Sequence, residues 1–77
     1  MITLVKIPLS WGETYDATIV SWFKHEGDFV EQSEELCEIE YGKTTIQIES
    51  PISGTVTKIL LQEGDSAEPG AVIAHIS

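Results

Sequence analysis

Several groups of residues in this chain have types that could do chemistry, and most lack the spacing. "GKT" (Gly42 to Thr44) looks like the end of a phosphate-binding loop. That motif reads G-x-x-x-x-G-K-[ST], however; Cys37 stands where its first glycine belongs, and no helical pattern follows. His25, His75 and Cys37 have no ligand-spaced companions, which leaves a zinc site unsupported. Neighbouring acids such as Glu34 and Glu35 could form an acid/base pair only in a concave pocket, of which so small a chain gives no sign. No serine or cysteine has a nucleophile's local signature, and Ser53-Gly54 reads as a turn into a strand. Lys43 remains, between two alternating patterns in "EIEYGKTTIQIE" (Glu38 to Glu49), in a chain with four lysines and no arginine. An exposed lysine amine is almost wholly protonated near neutral pH and is a poor nucleophile by itself. Either another enzyme does chemistry to it, or it is a solvated turn residue.

The elements that must position it are strands. "ITLVKI" (Ile2 to Ile7) is stopped by Pro8, and "ATIVSWF" (Ala17 to Phe23) follows a polar loop. "ELCEIEY" (Glu35 to Tyr41) leads to Gly42, "TTIQIES" (Thr44 to Ser50) to Pro51, "GTVTKILL" (Gly54 to Leu61) to Glu63-Gly64-Asp65, and "AVIAHI" (Ala71 to Ile76) closes the sequence. All are short, rich in Val, Ile and Thr, and bounded by Gly, Pro, Ser or Asp. In "TTIQIES", Ile46 and Ile48 point one way and Thr45, Gln47 and Glu49 the other. No window sustains an i, i+3, i+4 apolar pattern. The expectation is one all-β domain over residues 1–77, two small sheets packed face to face.

An internal repeat refines that picture. Shifted by 37, residues 17–39 lie over 54–76 without a gap, with six of 23 positions identical. The identities are Thr18/Thr55, Glu26/Glu63, Gly27/Gly64, Asp28/Asp65, Glu31/Glu68 and Ile39/Ile76. Apolar character matches at Ile19/Val56, Trp22/Ile59, Phe23/Leu60, Val30/Ala67, Leu36/Ile73 and Cys37/Ala74. Two similar strand–turn–strand units related by a pseudo-twofold, each covering the other's apolar face, would give this pattern. Lys43 falls just past the end of the first unit, in a tight hairpin that Gly42 eases. The equivalent point of the second unit is where the sequence ends, so the lysine should protrude far from the tether points.

Charge and composition narrow the partners. Thirteen acids against four lysines leave a formal charge of −9, which excludes ordinary phosphate-backbone binding to nucleic acid and disfavours an anionic membrane surface. A partner would offer a basic face, unless the acids simply keep the surface soluble. With 42% hydrophobic residues the chain is a globule rather than a disordered tail, although folding at this size buries only about 60% of the unfolded surface. Cys37 is the single cysteine; in "ELCEIE" it reads as a small buried strand residue, and no oxidising compartment is implied. No stretch approaches the length of an apolar membrane span.

With these residues in place, the chain resembles the lipoyl domain of the acyltransferase subunits of 2-oxo acid dehydrogenase complexes. The landmarks are "IP" (7–8), "TIVSWFKHEGDFV" (18–30), "ELCEIEYGK" (35–43), "IESPISGTV" (48–56) and "EGD…PGAVIAHI" (63–76), in order over nearly the whole chain. The resemblance implies a flattened β-barrel, or barrel-sandwich, of two four-stranded antiparallel sheets with internal pseudo-twofold symmetry. It implies lipoic acid in amide linkage on the hairpin lysine, by position Lys43, put there by a lipoate ligase or lipoyl transferase. A thiamine-diphosphate 2-oxo acid decarboxylase then reductively acylates the dithiolane, an acyltransferase core passes the acyl group to coenzyme A, and dihydrolipoamide dehydrogenase reoxidises the dithiol. The domain would be a non-catalytic, monomeric swinging arm that raises effective concentration, in the cytoplasm or, in a eukaryote, the mitochondrial matrix.

Two departures stand at the tip: Gly42 replaces the family's usual Asp, and Thr44 its usual Ala. The lost carboxylate is expected to loosen the turn and to affect partner choice more than modification. The loop "LSWGETYD" (9–16) also differs from the common family loop, making Trp11, Glu13 and Tyr15 candidate contacts for the decarboxylase. A biotinyl carrier shares the fold and the lysine, but its lysine is normally flanked by methionines. An unmodified acidic binding module is the alternative from another class.

Overall fold

The computed structural model describes residues 1–7 and 17–77. These form eight strands: β1 (Thr3–Lys6), β2 (Ala17–Trp22), β3 (Phe29–Val30), β4 (Glu35–Tyr41), β5 (Thr44–Glu49), β6 (Gly54–Ile59), β7 (Ser66–Ala67) and β8 (Val72–Ile76). They assemble into two four-stranded sheets, ordered β1-β8-β6-β3 and β5-β4-β2-β7, and every pairing is antiparallel. The inner faces meet in one core that includes Ile19, Leu36, Ile39, Val56, Ile73 and Ile76, each at most 1% exposed. Removing such a side chain from water contributes roughly 1.5–3 kcal/mol.

The repeat is written into the hydrogen bonds. Ile19 N–H donates to Asp65 O, and Val56 N–H donates to Asp28 O; Gly64 N–H donates to Ile19 O, and Gly27 N–H to Val56 O. Phe23 N–H to Leu36 O is matched by Leu60 N–H to Ile73 O. Each unit thus stitches its turn onto the other unit's long strand. The identical acids have backbone duties here. Asp28 accepts from His25 N–H and Asp65 from Gln62 N–H, both at 2.8 Å. Glu26 accepts from Ile59 N–H and Glu63 from Trp22 N–H. Gly27 and Gly64, at φ +95° and +92°, occupy a region that side chains with a Cβ resist.

The symmetry extends past the sequence repeat. Val5 lies opposite Ala74 as Ile48 lies opposite Cys37. Ile7 N–H donates to Ala71 O as Ser50 N–H donates to Glu34 O. Strands β1 and β5 are therefore equivalent outer strands, although their sequences do not show it. One apolar match faces the other way: Phe23 and Leu60 are 45% and 40% exposed. Each follows directly on an inward residue, Trp22 or Ile59, at the end of a strand, and strand alternation turns it outward.

Candidate functional site

The β4–β5 ladder runs in unbroken register from Cys37↔Ile48 to Tyr41↔Thr44, leaving Gly42 and Lys43 as a two-residue loop. Gly42 has φ +63°, and no positive φ occurs at Lys43. That sign pattern belongs to a type II′ hairpin, whose first central position favours glycine and whose twist matches the flanking strands. A Cβ built on Gly42 would meet nothing within 4 Å, so the preference for glycine is set by the backbone alone. The expected loosening of the turn is therefore revised: at this φ, glycine is the residue that closes the hairpin without strain.

Gly42, Lys43 and Thr44 are all exposed. Among the described residues the ion-pair contacts are Lys24 with Glu34 at 2.8 Å and His25 with Asp28 at 3.7 Å. Neither involves Lys43, and no side-chain hydrogen bond does. Among the described residues, the Lys43 side chain is exposed and meets no carboxylate partner. Behind it, the same sheet bears Glu35, Glu38, Glu40 and Glu49, with Glu35 opposite Glu49 and Glu38 receiving the Gln47 amide at 2.8 Å.

The tip is remote from both chain ends. Strand β2 starts beside it, Thr18 opposite Glu40, and runs away from it. Its far end leads through the 23–28 turn to β3, which pairs with Gly54 and Thr55. There Ser77 exchanges two backbone hydrogen bonds with Thr55, and Thr3 pairs with Ile76. Tip and chain ends thus lie at opposite ends of the strands.

The other candidates find structural settings. Cys37 is fully buried, and desolvation pushes its thiol up to about 12. Glu34 is occupied by Lys24, whose hydrogen bond holds the carboxyl below its ordinary range, with help from the Glu31 amide. Ser53 Oγ accepts from Gln32 N–H at 2.9 Å. His75 pairs across the sheet with Lys58. Trp11, Glu13 and Tyr15 lie outside the described residues. One feature escaped the sequence reading: a shallow groove of about 290 Å³ between β1 and β5. Its sole sequence signal is the Ile46/Ile48 alternation.

A small two-sheet domain with an exposed lysine on a hairpin tip has the form of a non-catalytic carrier domain, and the comparisons with known proteins agree. Residues 3–76 match the biotin/lipoyl family model described as "Biotin-requiring enzyme", and the chain belongs to that family. It is 40% identical over 74 residues to the dihydrolipoyllysine-residue acetyltransferase component of the pyruvate dehydrogenase complex of Corynebacterium glutamicum, covering 96% of this chain and 11% of that protein. It is 33% identical over 76 residues to the dihydrolipoyllysine-residue succinyltransferase component of the 2-oxoglutarate dehydrogenase complex of Bartonella vinsonii subsp. berkhoffii, covering 99% of this chain and 18% of that protein. The chain therefore spans under a fifth of the length of either relative. Among solved structures, the lipoyl domain of the Azotobacter vinelandii 2-oxoglutarate dehydrogenase complex superposes with a TM-score of 0.71 at 26% identity, covering 80% of this chain and 78% of that one. Kluyveromyces lactis urea carboxylase superposes with a TM-score of 0.84 at 28% identity, over all of this chain and 6% of that one.

Proposed function

We propose that Lys43 Nζ bears lipoic acid in amide linkage, and that the domain is the swinging arm of a 2-oxo acid dehydrogenase complex. The observation that carries the reading is the exposed Lys43, without a partner among the described residues, on a two-residue tip at the far end from the chain ends. A primary amine fits amide formation with the lipoyl carboxyl, and Lys43 is exposed together with its flanks Gly42 and Thr44. The similarity to lipoyl-bearing acyltransferase components supports lipoate over other groups. When bound, the group supplies a dithiolane that accepts an acyl unit together with two electrons.

The chain's own residues hold and present it. Gly42 turns the backbone so that Lys43 sits outermost, and the β4–β5 ladder keeps that position fixed relative to the core. The tether at the opposite end lets the tip visit a lipoate ligase or lipoyl transferase, a thiamine-diphosphate decarboxylase, an acyltransferase core and dihydrolipoamide dehydrogenase. Tethering makes each visit intramolecular, so affinity for any one enzyme can stay weak. The segment 9–16, with Trp11, Glu13 and Tyr15, is proposed to select the decarboxylase. Replacing it should reduce acylation by the cognate decarboxylase while leaving ligation at Lys43 unchanged; equal acylation would remove that role.

A second reading has its own support: the urea carboxylase superposition fits biotin on the same lysine. The flanks Gly42 and Thr44 favour lipoate, because methionines normally flank a biotinylated lysine. Intact mass after expression in a host with both ligases separates the readings, since lipoyl, biotinyl and bare protein differ in mass. A Lys43→Arg variant should show no adduct. Wild-type protein without a lipoyl adduct would overturn the proposal.

A further inference from the structure

The groove between β1 and β5 is lined by Leu4, Val5, Lys6, Ile46, Gln47 and Ile48 among others, with a volume of about 290 Å³. It lies where the two sheets meet edge to edge, since β1 and β5 are outer strands of their respective sheets. Its floor is apolar: Val5 and Ile48 are 2% and 7% exposed, and Ile46 packs half-buried against the core. Leu4 forms a wall and is 44% exposed. Strand β5 descends into the groove directly from the tip. Strand β1 climbs toward the tip from the end where Thr3 pairs with Ile76, so Lys6 and Ile46 frame the mouth nearest Lys43.

We infer that this groove receives the protein's own lipoyl-lysine arm when no partner enzyme holds it, an inference that rests on the lipoyl reading of Lys43. Geometry supports it. Ile46 is three residues along the strand from Lys43, roughly 10 Å at ~3.3 Å per residue. From the lysine Cα to the dithiolane ring, the side chain and lipoyl chain together extend eleven bonds of ~1.5 Å, a zigzag reach of roughly 14 Å. The arm therefore spans the gap with its dithiolane end inside the mouth. The volume is at the small end of ligand pockets, about 300 Å³, which suits a short alkyl chain and a five-membered ring but not a second domain. The chemistry also matches: methylenes and a disulfide ring gain by leaving water for Ile46, Val5 and Leu4. A bare lysine has no such gain, because its charge would be desolvated. Docking is tied to the loaded state.

The test compares methyl-labelled protein with and without the lipoyl adduct, each verified by intact mass. Docking predicts shift changes at the methyls of Leu4, Val5 and Ile46. It also predicts cross-relaxation between arm methylenes and the Ile46 and Val5 methyls. Changes confined to residues 41–45 in protein shown to bear the adduct would overturn the inference and leave the carrier reading intact. If no adduct forms in a lipoylating host, the lipoyl reading fails and this inference with it. An Ile46→Asp variant sets a carboxylate at the mouth; with an unchanged backbone amide spectrum and full adduct mass, it should lose the arm contacts. Persistence of those contacts in the variant would also overturn docking. The wild-type comparison stands even if that variant does not fold.

Discussion

Glu26 and Glu63 make the same bond in opposite directions across the pseudo-twofold. The Glu26 carboxylate accepts from Ile59 N–H at 2.8 Å, and the Glu63 carboxylate accepts from Trp22 N–H at 3.3 Å. Each acid belongs to the turn of one unit and satisfies the last strand residue of the other. Their identity in the repeat reflects this exchange rather than a site for ligands. Truncating one partner leaves a backbone donor to water, at a cost of about 1 kcal/mol. Glu26→Ala should therefore lower the urea midpoint, and Glu63→Ala should lower it less because its bond is longer. Equal midpoints for wild type and Glu26→Ala would show that the bond contributes nothing.

Ser33 has φ +73°, a left-handed conformation, while its counterpart in the second unit, Gly70, has φ +84°. The backbone bonds agree as well: Ser33 N–H donates to Ser50 O, and Gly70 N–H to Ile7 O. A serine there is strained, and a glycine is not. Ser33→Gly should stabilise the domain by up to about 1 kcal/mol, the relief being offset in part by the greater unfolded-state entropy of glycine. Thermal denaturation would register this as a rise of a few degrees; a fall would mean that the Ser33 side chain has another role.

At the tip, Gly42→Val forces a β-branched side chain into φ +63°, at about 1–2 kcal/mol. The hairpin should distort while the core stays folded. Slower ligation at Lys43 with an unchanged core amide spectrum is the expected result, read by intact mass over time. Undiminished ligation would show that the modifying enzyme does not read the turn.

Burial holds the Cys37 proton in the folded state up to about 12, against 9.0 for a solvated thiol. The folded protein thus binds more protons than the unfolded chain above pH 9. The associated stability is complete below that value and is lost as pH rises from 9 toward 12. The urea midpoint should fall between pH 8 and pH 10.5 by more in wild type than in Cys37→Ala, whose side chain is the one found at the equivalent Ala74. A thiol reagent at pH 8 should label Cys37 only in denaturant; rapid labelling of native protein would contradict the burial.

The long strands were legible because their alternation is long enough to read. "ELCEIEY" matched β4 end to end, and the Ile46/Ile48 alternation gave the correct face of β5. β3 and β7 have two residues each, too few to carry a period, and are fixed by the other unit's backbone. The likeness of β1 and β5 was hidden for a different reason. Only position in the sheets relates them, and outer strands tolerate unlike side chains on their open faces. Lys43 could be placed because a glycine and a lysine between two complementary patterns leave little besides a hairpin. The edge-to-edge groove depends on how the sheets meet, which no local pattern encodes.

The chain ends occupy the position that Gly42 and Lys43 fill in the other unit, since Thr3↔Ile76 corresponds to Ile46↔Ile39. Symmetry-related positions thus hold the Gly42–Lys43 turn at one pole of the domain and residues 3 and 76 at the other. On the lipoyl reading proposed above, the arm on Lys43 works at the first pole, away from the termini. A collision at the tip therefore acts on the end of the two sheets farthest from residues 3 and 76.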